Sequence, residues 1–131
     1  MIEWDILVSA VLTLLAVQAI KFSWALYHGK VVWGDVLADG GVISAHTGAV
    51  SALCFSVYFV EGFSNLFFVS LVFSLIVLRD AIGVRRVARE NARILDKEFK
   101  LKRHVSEGHS LREVLFGALL GGIVSVVVFV V

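Results

Sequence analysis

At 131 residues, 59% hydrophobic and 18% charged, with a mean hydropathy of +0.90, the chain is too apolar for a small soluble domain and too patterned for a disordered one. It reads as an integral protein of a cell or inner membrane. A net charge of +1 says little about partners, and the lone Cys54, inside an apolar run, has no partner in the chain with which to propose a disulfide or a cysteine metal cluster.

The first apolar stretch, Asp5 to Tyr27, is long enough to cross a hydrocarbon core of about 30 Å. Glu3 and Asp5 precede it where a signal peptide carries basic residues, so it is expected to be a retained span. A second stretch, His46 to Val60, is short for a full crossing. The third, Ser64 to Leu78, follows the turn Glu61-Gly62-Phe63, and the two predict a tight helical hairpin. The fourth, Leu111 to Val131, carries Gly117 and Gly121 in a G-x-x-x-G spacing that admits another helix at close range. Packing inside one copy and a homodimer seam both fit that spacing. Its β-branched tail, Ile123 to Val131, would suit a strand in water, but lipid demands internally satisfied backbone groups and therefore a helix.

The expected architecture is all-α: a single polytopic membrane domain with about four hydrophobic helices, over residues 5–27, 46–60, 64–79 and 111–131. A cytoplasmic amphipathic helix over about 80–103 joins the last two. Ten of the twelve Lys and Arg residues fall between Arg79 and Arg112, and none in the turn at 61–65. The positive-inside bias puts the basic segment in the cytoplasm, and threading back leaves residues 28–45 on the same side and the N-terminus outside. Arg86, Arg89, Arg93, Lys97 and Lys100 recur at three- and four-residue steps opposite Val84, Ala88, Leu95 and Phe99. A helix resting on anionic headgroups explains the distal arginines without catalysis. Arg85 and Arg86, where the third span emerges, fit phosphate binding and simple anchoring equally.

Two polar islands border the apolar spans. Gly40-Gly41-Val42-Ile43-Ser44-Ala45-His46 precedes the second span, and Gly108-His109-Ser110-Leu111-Arg112-Glu113 opens the fourth. The derived topology puts both on the cytoplasmic side. His109 and Glu113, at i and i+4, share a helical face, where a carboxylate would fix the tautomer of an attacking imidazole. Phosphoryl transfer also asks for cationic donors and a proton source, and two histidines with split roles would give a bell-shaped pH profile. A local reading competes: Ser110-Leu111-Arg112-Glu113 fits a capping box, which occupies Glu113 at its own helix start. Ser44 either caps the second span or bonds a phosphate oxygen, and Gly40 with Gly41 admit an anion to backbone N–H groups. Lys21, with Gln18 one turn deeper, is a polar pair within the first span. Snorkelling explains Lys21 as well as a functional role does.

The order Gly-Gly-x-x-Ser-x-His at 40–46, Asp-Ala-x-Gly-Val-Arg-Arg at 80–86 and Gly-His-x-x-x-Glu-Val-x-x-Gly-x-x-x-Gly at 108–121 resembles the divergent branch of the type-2 phosphatidic acid phosphatase and vanadium haloperoxidase superfamily. The resemblance implies a metal-independent phosphohydrolase acting on a lipid or isoprenoid phosphate through a phosphohistidine. It assigns the nucleophile to His109 with Glu113, the acid to His46, and phosphate or substrate binding to Lys21, Gly41, Ser44, Asp80, Arg85 and Arg86. Ile43, Ala45 and Leu111 replace residues usual in the pattern, and the chain has no proline.

The expected partners are the bilayer and a phospholipid or isoprenoid phosphate, with a homodimer through Gly117 and Gly121 as a further expectation. No cofactor or metal is expected, since no carboxylate cluster suits a divalent ion. Nucleic acid is not expected, since no aromatic platform interleaves the arginines. The alternative to an enzyme is a catalytically inactive lipid-binding or scaffolding protein that uses the arginine-rich face. A small transporter has thin support, because only Gln18 and Lys21 are polar well inside a span.

Overall fold

The computed structural model describes residues 2–29, 43–100 and 110–130. Their regular structure is helical throughout: α1 (Ile2–Tyr27), α2 (Ala45–Glu61), α3 (Asn65–Ile82), α4 (Val84–Phe99) and α5 (Leu111–Val130). The protein is an all-α polytopic membrane protein, in which α1, α3 and α5 are long and apolar enough to cross a bilayer. The 17 residues of α2 rise only about 25 Å. Its shortness goes with its place at the centre, where it packs most heavily on α5 and then on α1 and α3.

Cross-helix contacts fix the directions. Ser9 meets Ser56, while Thr13 and Val17 lie beside Gly48, so α1 runs antiparallel to α2. The Ser74 hydroxyl donates to Val50 O at 2.9 Å and Tyr58 contacts Phe67, so α3 is antiparallel too. Thr47 Oγ1 donates to Val114 O at 3.2 Å and Ser125 Oγ to Ala52 O at 2.9 Å, so α2 and α5 run parallel. The end of α1, the starts of α2 and α5 and the end of α3 therefore share one end of the bundle.

The interior is the reverse of a soluble core. Buried positions on α2 are Thr47, Gly48, Ser51, Ala52, Cys54, Ser56 and Val57, and on α5 Val114, Gly117, Gly121 and Ser125. Large side chains such as Phe68, Ile76, Leu119 and Ile123 face outward. Lipid tails are as apolar as leucine, so helices gain by close approach and hydrogen bonding rather than by hiding leucines. Gly117 and Gly121 provide that approach. A Cβ on Gly121 would collide with the Gly48 carbonyl and lie 2.8 Å from Ala52 N, and one on Gly117 would collide with Ser44 O and Thr47 Oγ1. The glycine spacing serves α2 within one copy, and the seam that a homodimer through Gly117 and Gly121 would need is already filled. One level further, Ser56 bridges Ser9 of α1 and Ser125 of α5 (3.2 Å), and Ser125 also donates to Gly121 O at 3.0 Å.

The hairpin turns at Gly62, where φ is +64° and its N–H donates to Tyr58 O at 2.8 Å. Ser64 then caps α3, accepting from Phe67 N at 3.1 Å. The third span reaches further than 79: α3 continues to Ile82 and includes Asp80, and the basic helix starts at Val84 rather than 80. Gly83 (φ −96°, ψ −80°) separates the two. A Cβ there would come within 3.1 Å of Arg79 O, so the corner favours a residue without one.

Overpacking at a backbone-to-backbone contact cannot be relieved by a rotamer change. Gly121→Ala should lose about 2 kcal/mol or more of unfolding free energy in detergent, whereas Gly122→Ala, which meets only the Phe55 ring at 3.2 Å, should lose under about 1 kcal/mol. Chemical denaturation of the two variants side by side measures the difference.

Candidate functional site

At the shared end, the starts of α2 and α5 are tied together. Ser44, extended (φ −81°, ψ 116°) and fully buried, caps α2: its Oγ accepts from Thr47 N at 3.4 Å. Its own N–H donates to Glu113 O at 3.2 Å. Thr47 Oγ1 is shared between Ser44 O and Val114 O, both at 3.2 Å. The segment entering α2 is thus held against the first turn of α5. Of the two roles open to Ser44 in the sequence, capping is the one its geometry fulfils.

The start of α5 is a capping box. Ser110 N–H donates to Glu113 Oε2 at 3.1 Å, and Glu113 N–H donates to Ser110 Oγ at 3.4 Å. An ionised carboxylate has about four acceptor positions. Capping therefore leaves capacity to orient a neighbouring imidazole, and the two roles do not exclude one another. His109 itself lies outside the described residues, as do Gly40 and Gly41.

On α1 one stripe faces the bundle: Ser9, Thr13, Val17 and Lys21, each one helical turn after the last and all buried. Val17 lies at the level of Gly48. Lys21, only 7% exposed, comes one turn closer to the end where Ser44 and Glu113 meet. A cation covered to this degree is not snorkelling into open water, which was the competing explanation for it. Gln18 lies beside it, and its Oε1 is buried without a hydrogen-bond donor among the described residues.

His46, in the first turn of α2, is exposed. Asp80 is partly buried in the last turn of α3. Arg86 is placed elsewhere. Its Nε donates to Glu90 at 3.1 Å on α4, with both side chains more than half exposed, and among the described residues α4 packs only against α3. The Arg85 side chain lies outside the described residues. The structure thus gathers Lys21, Ser44 and Glu113 at one corner, adds His46 at the same end, and leaves Arg86 on a separate helix.

Thr47 and Gly48 had no part in the sequence reading. Their signal was faint: a hydroxyl next to a glycine one turn into a short apolar stretch, which any membrane helix can carry.

A buried lysine and two joined helix starts at one end of an antiparallel bundle define a small polytopic protein with a polar corner at the mouth of its spans. The family model for the divergent PAP2 family matches residues 2–124, and the chain belongs to that family. It is similar to the uncharacterized membrane protein YuiD of Bacillus subtilis (strain 168), at 33% identity over 92% of this chain and 91% of that protein. No solved structure matches it.

The capping and orienting roles of Glu113 separate by substitution. Glu113→Gln keeps an acceptor for the Ser110 N–H and should stay within about 0.5 kcal/mol of the parent in unfolding free energy, while Glu113→Ala should lose about 1 kcal/mol. Denaturant titration in micelles resolves the two.

Proposed function

We propose that the protein is a metal-independent membrane phosphatase that hydrolyses a lipid or isoprenoid phosphate at its polar corner, which we assign to the cytoplasmic face. The observation that carries this reading is the buried Lys21 beside the joined starts of α2 and α5. Both starts direct partial positive charge toward that end, which suits a phosphate. Family membership supports the same chemistry.

In the proposed reaction an imidazole nitrogen of His109 attacks phosphorus. A P–N bond forms as the ester P–O bond breaks, and the departing alkoxide takes a proton from His46. Glu113 holds the other nitrogen of His109 and balances its developing charge. Water then attacks the phosphohistidine, His46 takes the water proton, and inorganic phosphate leaves with His109 restored. Lys21 and, from the first turn of α4, Arg85 stabilise charge on the phosphate oxygens, and Asp80 in the last turn of α3 orients the cations around them. Fixed donors of this kind are worth most in a site that excludes water.

The second reading is a catalytically inactive lipid-binding protein. It is favoured by Arg86, whose partner is Glu90 rather than the corner.

The test is phosphate release by the purified protein in detergent with EDTA, on phosphatidic acid, phosphatidylglycerophosphate and an isoprenoid diphosphate. Turnover should vanish in His109→Ala. In Lys21→Met kcat/KM should fall about 100-fold or more with the unfolding transition retained. No release from any of the three by a folded protein that still binds headgroups would replace the phosphatase with the lipid-binding reading.

A further inference from the structure

We infer that α4 is an in-plane docking helix for the anionic lipid surface of the membrane that α3 crosses. This surface function does not depend on whether the polar corner hydrolyses anything. The helix has one apolar and one basic side. Val84, Val87, Ile94, Leu95 and Phe99 fall within one arc and are each more than half exposed, with Ile94 at 64% and Phe99 at 65%. Arg86, Arg93 and Lys97 occupy the opposite arc. Among the described residues only α3, its neighbour in sequence, packs against it.

Three observations select a lipid surface as the occupant. α4 begins one residue after a span ends, so its first turn starts at headgroup level with no linker to carry it away. Over its length it holds five basic against three acidic side chains, and Lys100 follows directly. That is the charge an anionic leaflet attracts. The apolar arc is interrupted by Asn91 and Glu98, both exposed. A buried protein interface tolerates a carboxylate there poorly, while an interfacial helix lets it reach the water layer. Gly83, off helical geometry between α3 and α4, is where this inference has the chain turn from crossing the membrane to lying in its plane.

The experiment uses the full chain carrying Cys54→Ser and one reporter cysteine, Ile94→Cys on the apolar arc or Arg93→Cys on the basic arc. Each is labelled with an environment-sensitive fluorophore in nanodiscs of phosphatidylcholine, alone or mixed with phosphatidylglycerol. Position 94 should shift to the blue and lose access to an aqueous quencher in the anionic discs, position 93 should not, and raised salt should weaken the effect. Adding Lys97→Ala should weaken the docking equilibrium at position 94 about fivefold, the equivalent of roughly 1 kcal/mol per basic residue at such a surface. Equal access at 94 in both lipids would overturn the inference. So would equal protection at positions 93 and 94, which would mean that α4 does not lie at a water boundary. Protection that grows with copies per disc would assign the face to a second copy instead.

Discussion

The structure depends on the close approach of α2 and α5 through glycine. Lipid removes the usual reason for helices to associate, because apolar side chains lose nothing by facing acyl tails. What remains is van der Waals contact between backbones and hydrogen bonding in a medium that offers no water. Gly48, Gly117 and Gly121 let the two backbones touch, and Thr47, Ser56 and Ser125 supply hydroxyls that bond across the seam or to helix carbonyls beside it. A side chain at these glycines would open the seam and leave those hydroxyls without partners. Large residues are thereby pushed to the outside, and the shortest helix becomes the centre.

The same seam positions the polar corner. Because α2 and α5 pack in parallel, their first turns lie at one level, and the Ser44 N–H and Thr47 hydroxyl reach the first-turn carbonyls of α5. Residues nearly seventy positions apart become neighbours through one backbone bond and one hydroxyl. α1 then lies antiparallel along the pair, and the stripe that presents Ser9, Thr13 and Val17 to the seam carries Lys21 to the corner. The helix packing alone thus carries a buried cation to the end where two helix starts converge.

Much of this was legible from the residues. Composition demanded a membrane protein, the apolar runs located the four hydrophobic helices, and the three motifs in order pointed to the family. The glycine spacing announced a close contact and left its partner open, since spacing on one helix carries no information about which surface fills the groove. At the span end Arg86 fits phosphate binding and anchoring equally, and only the family resemblance assigns it to the phosphate. Nearness along the chain fixes height and leaves direction undetermined, and after Gly83 the helix turns that side chain toward Glu90. Ser110 and Glu113 were read two ways, and the local bond formed as capping chemistry predicts, because a helix start has orphan N–H groups whatever else its residues do.

The two ends of the bundle are chemically unlike. The hairpin end gathers Tyr58, Phe59, Phe63, Phe67, Phe68 and Phe129 in ring contacts, and its turn at 61–65 holds no Lys or Arg. Tyr58 is of the type that favours the headgroup boundary, and the phenylalanine rings pack around it. The opposite end holds Lys21, Arg79, Asp80, His46, Glu113 and the start of α4. Between them the hydroxyls of Ser9, Ser56 and Ser125 bond to one another across three helices. The charges of the described residues thus divide by end: the basic side chains lie with Lys21 and α4, while Asp5 at the start of α1 and Glu61 at the end of α2 put carboxylates at the hairpin end.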